Sequence, residues 1–306
     1  MSQFSRYRPM VANLAEQALE RAARVGAGDA SRDIRVGLPA ARVLLHDTAA
    51  DDAWHAGAAS LACIADDPAD DDRPLRSPGG QWRDVYWPLV VHLYLRSYTK
   101  VRPTLDDVTR SEVEGLLARA ADALAASPDA GTISFRLWRT LCMTSSAELA
   151  LPQGLATPQR CVRSDDQQGE GTPTVEQLIA RDDGRPPADA LHVQDADEPL
   201  DFWTYRELAG LHALDRLARL TARRDWQARV EQVASFHLHH TQPDYTTYEP
   251  WGLPAFARSM QTSLFAEQQL HDATVHLAQR DGGGAVVIAL LLADSFDVMS
   301  ASAGVE

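Results

Sequence analysis

Leu208, Leu211, Leu214, Leu217 and Leu220 recur every third residue. That spacing gathers them on one side of a helix, whereas the two-residue alternation of a strand would scatter them over both faces. Arg206, Asp215, Arg216 and Arg219 are then assigned to the polar remainder of the same helix. Trp226, Val230, Val233, Ala234 and His237 follow at offsets of 0, 4, 7, 8 and 11, a second amphipathic face. Only Thr221 to Asp225 separate the two, a connection of the length that joins antiparallel helices.

Helical signals extend over most of the 306 residues. Pro9 to Val25 is rich in Ala, Leu, Glu and Arg and stops at Gly26 and Gly28. Thr109 and Glu112 have the spacing of a capping box, followed by Val113, Leu116, Leu117 and Leu124 at helical intervals. Trp82 to Tyr98 is apolar on every side and reads as a buried helix, with Pro88 inside it as a kink. Further helices are expected over Gly252 to Gln279 and Ala285 to Val298. No segment alternates as a strand would, and no Asn-Gly hairpin turn occurs. The expected fold is therefore all-α, an array of helical hairpins.

Composition shifts between Gln153 and Pro199, which is rich in proline, glycine and acidic residues and poor in large apolar ones. The expected organisation is an N-terminal helical lobe (1-152), an acidic flexible loop (153-199) and a C-terminal helical lobe (200-306), the two lobes standing apart or forming one continuous domain. The net charge of -14 is local: Asp165 to Asp201 contributes -9, and the five aspartates of Asp66 to Asp72 contribute -5. The rest is near neutral and has no basic face for phosphates, so nucleic acid is not an expected partner.

The most apolar run, Ala285 to Ala293, is about half of the roughly 20 residues that span a bilayer. It is expected to be a core helix rather than a membrane segment. The N-terminus has no apolar stretch behind a basic cluster, as a secretory signal would. Cys63, Cys142 and Cys161 are isolated and odd in number, so they read as buried thiols of a reducing cytoplasm.

Chemistry concentrates in His237 to Trp251, the sequence HLHHTQPDYTTYEPW. His237 shares the apolar face of its helix with His240, and Pro243 breaks the helix before a loop bearing Asp244, Tyr245, Tyr248 and Glu249. Paired carboxylates suit acid and base roles, so Asp244 and Glu249 are candidate catalytic residues, with His240 as the third. Trp203, Tyr205, His237, Tyr245, Tyr248 and Trp251 are the candidate substrate-binding residues, most of them aromatic surfaces for a sugar or an apolar ligand. The alternative is that His237, Tyr245 and Tyr248 simply pack a loop.

Other motifs read as structure. His237, His240 and Asp244 match no specific zinc spacing. Asp66, Asp67 and Asp70 repeat the aspartate-rich pattern of isoprenoid synthases, but Pro68 interrupts the helix it requires. Gly282, Gly283 and Gly284 precede a helix without the Lys-Ser/Thr successor of a phosphate loop. No metal or cofactor is assigned.

Residues 203-252, with Gln242, Pro243 and Asp244 at the turn, resemble one hairpin of an α/α-toroid. The rhythm is similar to terpenoid-cyclase and prenyltransferase barrels and to six-hairpin glycosidase barrels. Tyr245 stands where their turn has glycine. The resemblance implies a central cavity at the helix ends, lined by aromatic and acidic residues. Two functions follow as expectations. One is a soluble helical scaffold or interaction protein that binds an unidentified small molecule or protein through residues 237-251, open to homo-oligomerisation. The other is a small toroid enzyme acting on carbohydrate or isoprenoid substrates.

Overall fold

The computed structural model describes residues 3-24, 35-66, 83-127, 132-151, 190-192, 197-241, 249-279 and 283-303. The described residues are helical, and no strand occurs among them. In chain order the helices are α1 (Gln3–Arg24), α2 (Leu38–His46), α3 (Asp52–Asp66), α4 (Arg83–Val101), α5 (Asp107–Ala126), α6 (Ile133–Glu148), α7 (Leu200–Leu220), α8 (Arg224–His240), α9 (Leu253–Arg258), α10 (Ser263–Gln279) and α11 (Gly283–Ala303). A 3-10 turn, Arg102–Thr104, follows α4. Nearly all of the expected acidic loop, the aspartates from Asp67 to Asp72 and the lobe boundary at residue 152 lie outside the described residues.

Local chemistry explains the ends. Asp106, not Thr109, caps α5: its carboxylate accepts from the amides of Val108 and Thr109 at 3.0 and 2.9 Å, so the helix begins one turn before the capping box expected at Thr109. Thr132 caps α6 by accepting from the amide of Phe135. Pro39 opens α2, where a missing N–H costs nothing, and Asp47 ends it in the left-handed conformation. The expected helix over Gly252 to Gln279 divides into α9 and α10 at Ser259. Gly252, at φ 72°, caps α9. The α7–α8 hairpin has the expected short connection.

Packing links the helices in a cycle. α2 contacts α4, α4 contacts α6, α6 contacts α7, α9 bridges α7 and α11, and α11 returns to α2. α3 and α5 pack on each other, and α1 lies along α11. Where α4 meets α11, His92 faces Asp294 and Arg96 faces Asp297, so the residue pairs advance in the same sense along both helices. The pairs His212 with Asp294 and Arg216 with Asp297 show the same for α7 and α11.

Two helices differ from their sequence reading. α7 is buried from Trp203 to Ala218 except at partly exposed Arg206, and the buried residues include Asp215 and Arg216, which were assigned to a polar face. α11 extends beyond the expected helix Ala285 to Val298 at both ends, and Gly284–Ala301 is long and apolar enough to cross a membrane by length and composition, with 78% of that window buried inside the fold. Asp294 and Asp297 sit in its buried half and pair with other helices, as a core helix requires.

Candidate functional site

Four helices inside this cycle each place one face on a common polar centre. His92 and Arg96 stand four residues apart on α4, and Arg216, Arg219 and Leu220 share a face of α7. Leu141, Ser145 and Glu148 form a stripe on α6, and Asp294, Asp297, Val298 and Ala301 occupy one side of α11. Apart from Trp203 of α7, the buried apolar residues of these helices belong to one core.

Asp294 is the hub. Its Oδ2 lies 2.9 Å from His212 Nε2, and its Oδ1 lies 3.1 Å from His92 Nε2 and 3.2 Å from Arg216. Burial would raise this carboxyl; the Arg216 guanidinium, His92 and His212 outweigh that and hold it well below the usual range. The Gly252 amide donates to His212 Nδ1 at 3.1 Å, so His212 carries its proton on Nε2 and donates it to Asp294. Trp138 stacks on His212 and meets His92 edge-on, closing the floor. Asp297 accepts from Arg96 at 2.9 Å and from Arg216 at 3.2 Å. Asp215, fully buried, pairs with Arg219 at 2.9 Å and Arg258 at 2.8 Å.

His92 is neutral at pH 7. Burial, and then the charges of Arg216 and Arg96, outweigh the pull of Asp294 and bring it down to about 4. The Arg216 Nε–H, which cannot tautomerise, points at His92 Nε2 from 3.2 Å. Asp294 Oδ1 lies 3.1 Å from the same nitrogen, so Nε2 faces a donor and an acceptor at once.

A cavity of about 580 Å³ opens beside this centre, lined by His92, Arg96, Ser145, Arg216 and Arg219 with Leu141, Leu220, Val298 and Ala301, and with Glu148 at its edge. Burial falls along all four helices toward their C-terminal ends. His92, Ser145, Arg216 and Val298 are buried, Arg96 and Arg219 are about a quarter exposed at 26% and 24%, and Glu148 and Ala301 are exposed. The cavity floor is therefore deep, and its mouth sits at the last turns of α4, α6, α7 and α11. Two side chains on the floor carry buried polar atoms without a hydrogen-bond partner, His92 Nδ1 and Ser145 Oγ. The carboxylates of Asp294 and Asp297 stand behind the guanidiniums and are not part of the lining, so the charged side chains of the lining are mostly arginines.

The residues singled out in the sequence lie elsewhere. His237 is buried with its Nε2 3.3 Å from Glu207. Trp203 packs on His237 and donates to the His192 carbonyl at 3.1 Å. Trp251 meets Trp138, Tyr205 and His212 edge-on. His240 is exposed and stacked on Phe236, and Glu249 is half-buried. Asp244, Tyr245 and Tyr248 lie outside the described residues. The structure thus joins Trp203 with His237 and Tyr205 with Trp251, and none of the described ones lines the cavity.

Glu207 forms a separate clasp. It accepts from the backbone amides of Leu191 and His192, and its Oε1 lies 2.7 Å from His192 Nδ1. Burial would raise its carboxyl, but the hydrogen bonds and charge of His192 and His237 bring it to about 2. His192 Nε2 in turn accepts from the Ser134 amide at 3.3 Å. Residues 190-192 are thereby fastened to α6, α7 and α8. No group of three or more His, Cys, Asp or Glu side chains among the described residues is arranged to hold a metal ion.

A sequence signal for the central site was present. His92 interrupts the apolar run VVHLYL, and Asp294 and Asp297 follow AVVIALLLA. A charge inside a helix that is apolar on all sides has to find a partner within the core. Comparison of the chain with family models, with curated proteins and with solved structures found no match in any of the three.

Proposed function

We propose that the protein is a small-molecule-binding helical protein of toroid-like architecture, whose ligand occupies the cavity above His92, Ser145 and Arg216. The closed cycle of contacts through α2, α4, α6, α7, α9 and α11 supports the architecture. One observation carries the function: a solvent-connected cavity of about 580 Å³ ends on the buried side chains of His92, Ser145 and Arg216. A cavity of this size that joins an apolar wall to a few convergent polar side chains has the character of a small-molecule site. This cavity is favoured over the surface at residues 237-251 because Trp203, Tyr205, His237 and Trp251 are engaged with one another and with the core.

A substitution at the mouth tests it. Ala301→Trp fills the opening from an exposed position without touching the polar network. A fluorescence thermal-shift screen of small organic acids, sugars and amines is expected to yield at least one compound that stabilises the wild type. At 100 times its dissociation constant such a ligand contributes about 2.7 kcal/mol. The Ala301→Trp protein, folded to the same helicity, is expected to lose that response. A stabilising compound that acts equally on both proteins overturns the assignment of the site.

A further inference from the structure

Resting on that cavity as the binding site, we infer that its ligand carries a singly charged carboxylate head on an apolar body. The first part of the argument is the lining chemistry. Arg96, Arg216 and Arg219 bring guanidinium groups to the wall, and Ser145 and His92 stand at the floor. Guanidiniums already held by Asp215, Asp294 and Asp297 suit an additional head of acceptors, whereas an ammonium would meet like charge.

The second part is the balance of charge. Arg96, Lys100, Arg216, Arg219 and Arg258 stand against Asp47, Asp215, Asp294, Asp297 and Glu148, with Lys100 reaching Asp47 at 3.3 Å and Asp297 at 3.8 Å. The constellation is therefore neutral, and it offers oriented donors rather than surplus positive charge. A dianionic phosphate would bring two charges to a neutral site and meet Glu148 at the mouth. A carboxylate brings one, and its planar pair of oxygens matches a guanidinium edge.

The third part is the opposite wall. Leu141, Leu220, Val298 and Ala301 line the cavity from α6, α7 and α11 and extend to its mouth. They provide an apolar surface for the body of the molecule, with the polar floor fixing its orientation. Glu148, exposed at the rim, becomes the residue that discriminates by charge.

Isothermal titration calorimetry at pH 8 with octanoate, octyl phosphate, octylamine and octanol, all below their critical micelle concentrations, tests the inference on the full chain. Octanoate is expected to bind at one site, with octylamine, octanol and octyl phosphate each weaker by about tenfold or more. Glu148→Gln is expected to tighten octanoate about two- to fivefold and to narrow the gap to octyl phosphate. Ala301→Trp is expected to abolish binding. Tighter binding of octylamine, octanol or octyl phosphate, lost in Ala301→Trp, overturns the carboxylate assignment and leaves the cavity as the site. An absence of binding by all four compounds overturns the inferred ligand class. Binding that survives Ala301→Trp overturns the cavity reading itself.

Discussion

His212 Nε2 lies 2.9 Å from Asp294 Oδ2, both side chains fully buried, at a polar centre enclosed by a largely apolar core. The Gly252 amide fixes the proton on the facing side of His212. Asp294 is therefore supplied with donors by His212 and Arg216 of α7, has His92 of α4 beside it, and remains ionised despite its burial. Three helices that are distant in sequence converge on one carboxylate.

Removing that charge is expected to be costly. Asp294→Asn keeps the volume but leaves Arg216 short of a counter-charge and presents an amide donor to a histidine donor. A loss of about 3–5 kcal/mol in urea denaturation is expected, as for other broken buried pairs. Asp47→Asn, at an exposed ion pair with Lys100, is expected to leave the melting temperature unchanged within error.

Stability is expected to fall in two acid windows. His92 titrates near 6.5 when unfolded and at about 4 when folded, so the unfolded chain binds the extra proton first. Its contribution is whole above pH 6.5 and declines as pH falls to 4, by about 3 kcal/mol in total. Glu207, lowered from 4.5 to about 2, contributes fully above pH 4.5 and loses that contribution as pH falls toward 2. Urea midpoints measured from pH 8 to pH 2 should show both declines, and His92→Gln should remove the upper one alone.

Gly57 admits the Tyr94 hydroxyl at the crossing of α3 and α4, where that hydroxyl donates to the Val36 carbonyl at 2.7 Å. A Cβ at position 57 would overlap the hydroxyl oxygen. Gly57→Ala is expected to destabilise by about 1–3 kcal/mol despite alanine's better helix propensity. The double variant with Tyr94→Phe is expected to cost less than the sum of the single changes, as read from a double-mutant cycle.

Glu207→Gln replaces an acceptor that holds two backbone amides with a group that must turn one donor toward them. Loss of about 2–3 kcal/mol is expected, from charged hydrogen bonds left unmade. Hydrogen exchange should locate the effect: peptides carrying Leu191 and His192 are expected to lose protection first, before those from α4 and α11.

Much of the architecture was legible residue by residue. The leucine stripe of α7, the face of α8 and the short link between them followed from helical spacing, as did the burial of α4 and of the run in α11. The candidate site was not. His237, Trp203 and Trp251 drew notice because aromatic and ionisable residues crowd together in the chain there, yet the fold uses the described members of that group to pack against one another. His92, His212, Arg216 and Asp294 are scattered over more than 200 positions, each looking locally like a stray polar residue in an apolar or amphipathic helix.

What the sequence determined by itself was the secondary structure and the need for burial, because helical periodicity and apolar content act over a few turns of one segment. Tertiary structure alone decided which charges meet. Asp215 and Arg216 belong to the polar side of α7 by periodicity, but a helix enclosed on every side has no solvent face, and their charges are met by Arg258, Asp294 and Asp297 from other helices. The pairing of α4, α7 and α11 around Asp294 depends on how helices from three parts of the chain pack, and no local pattern encodes it.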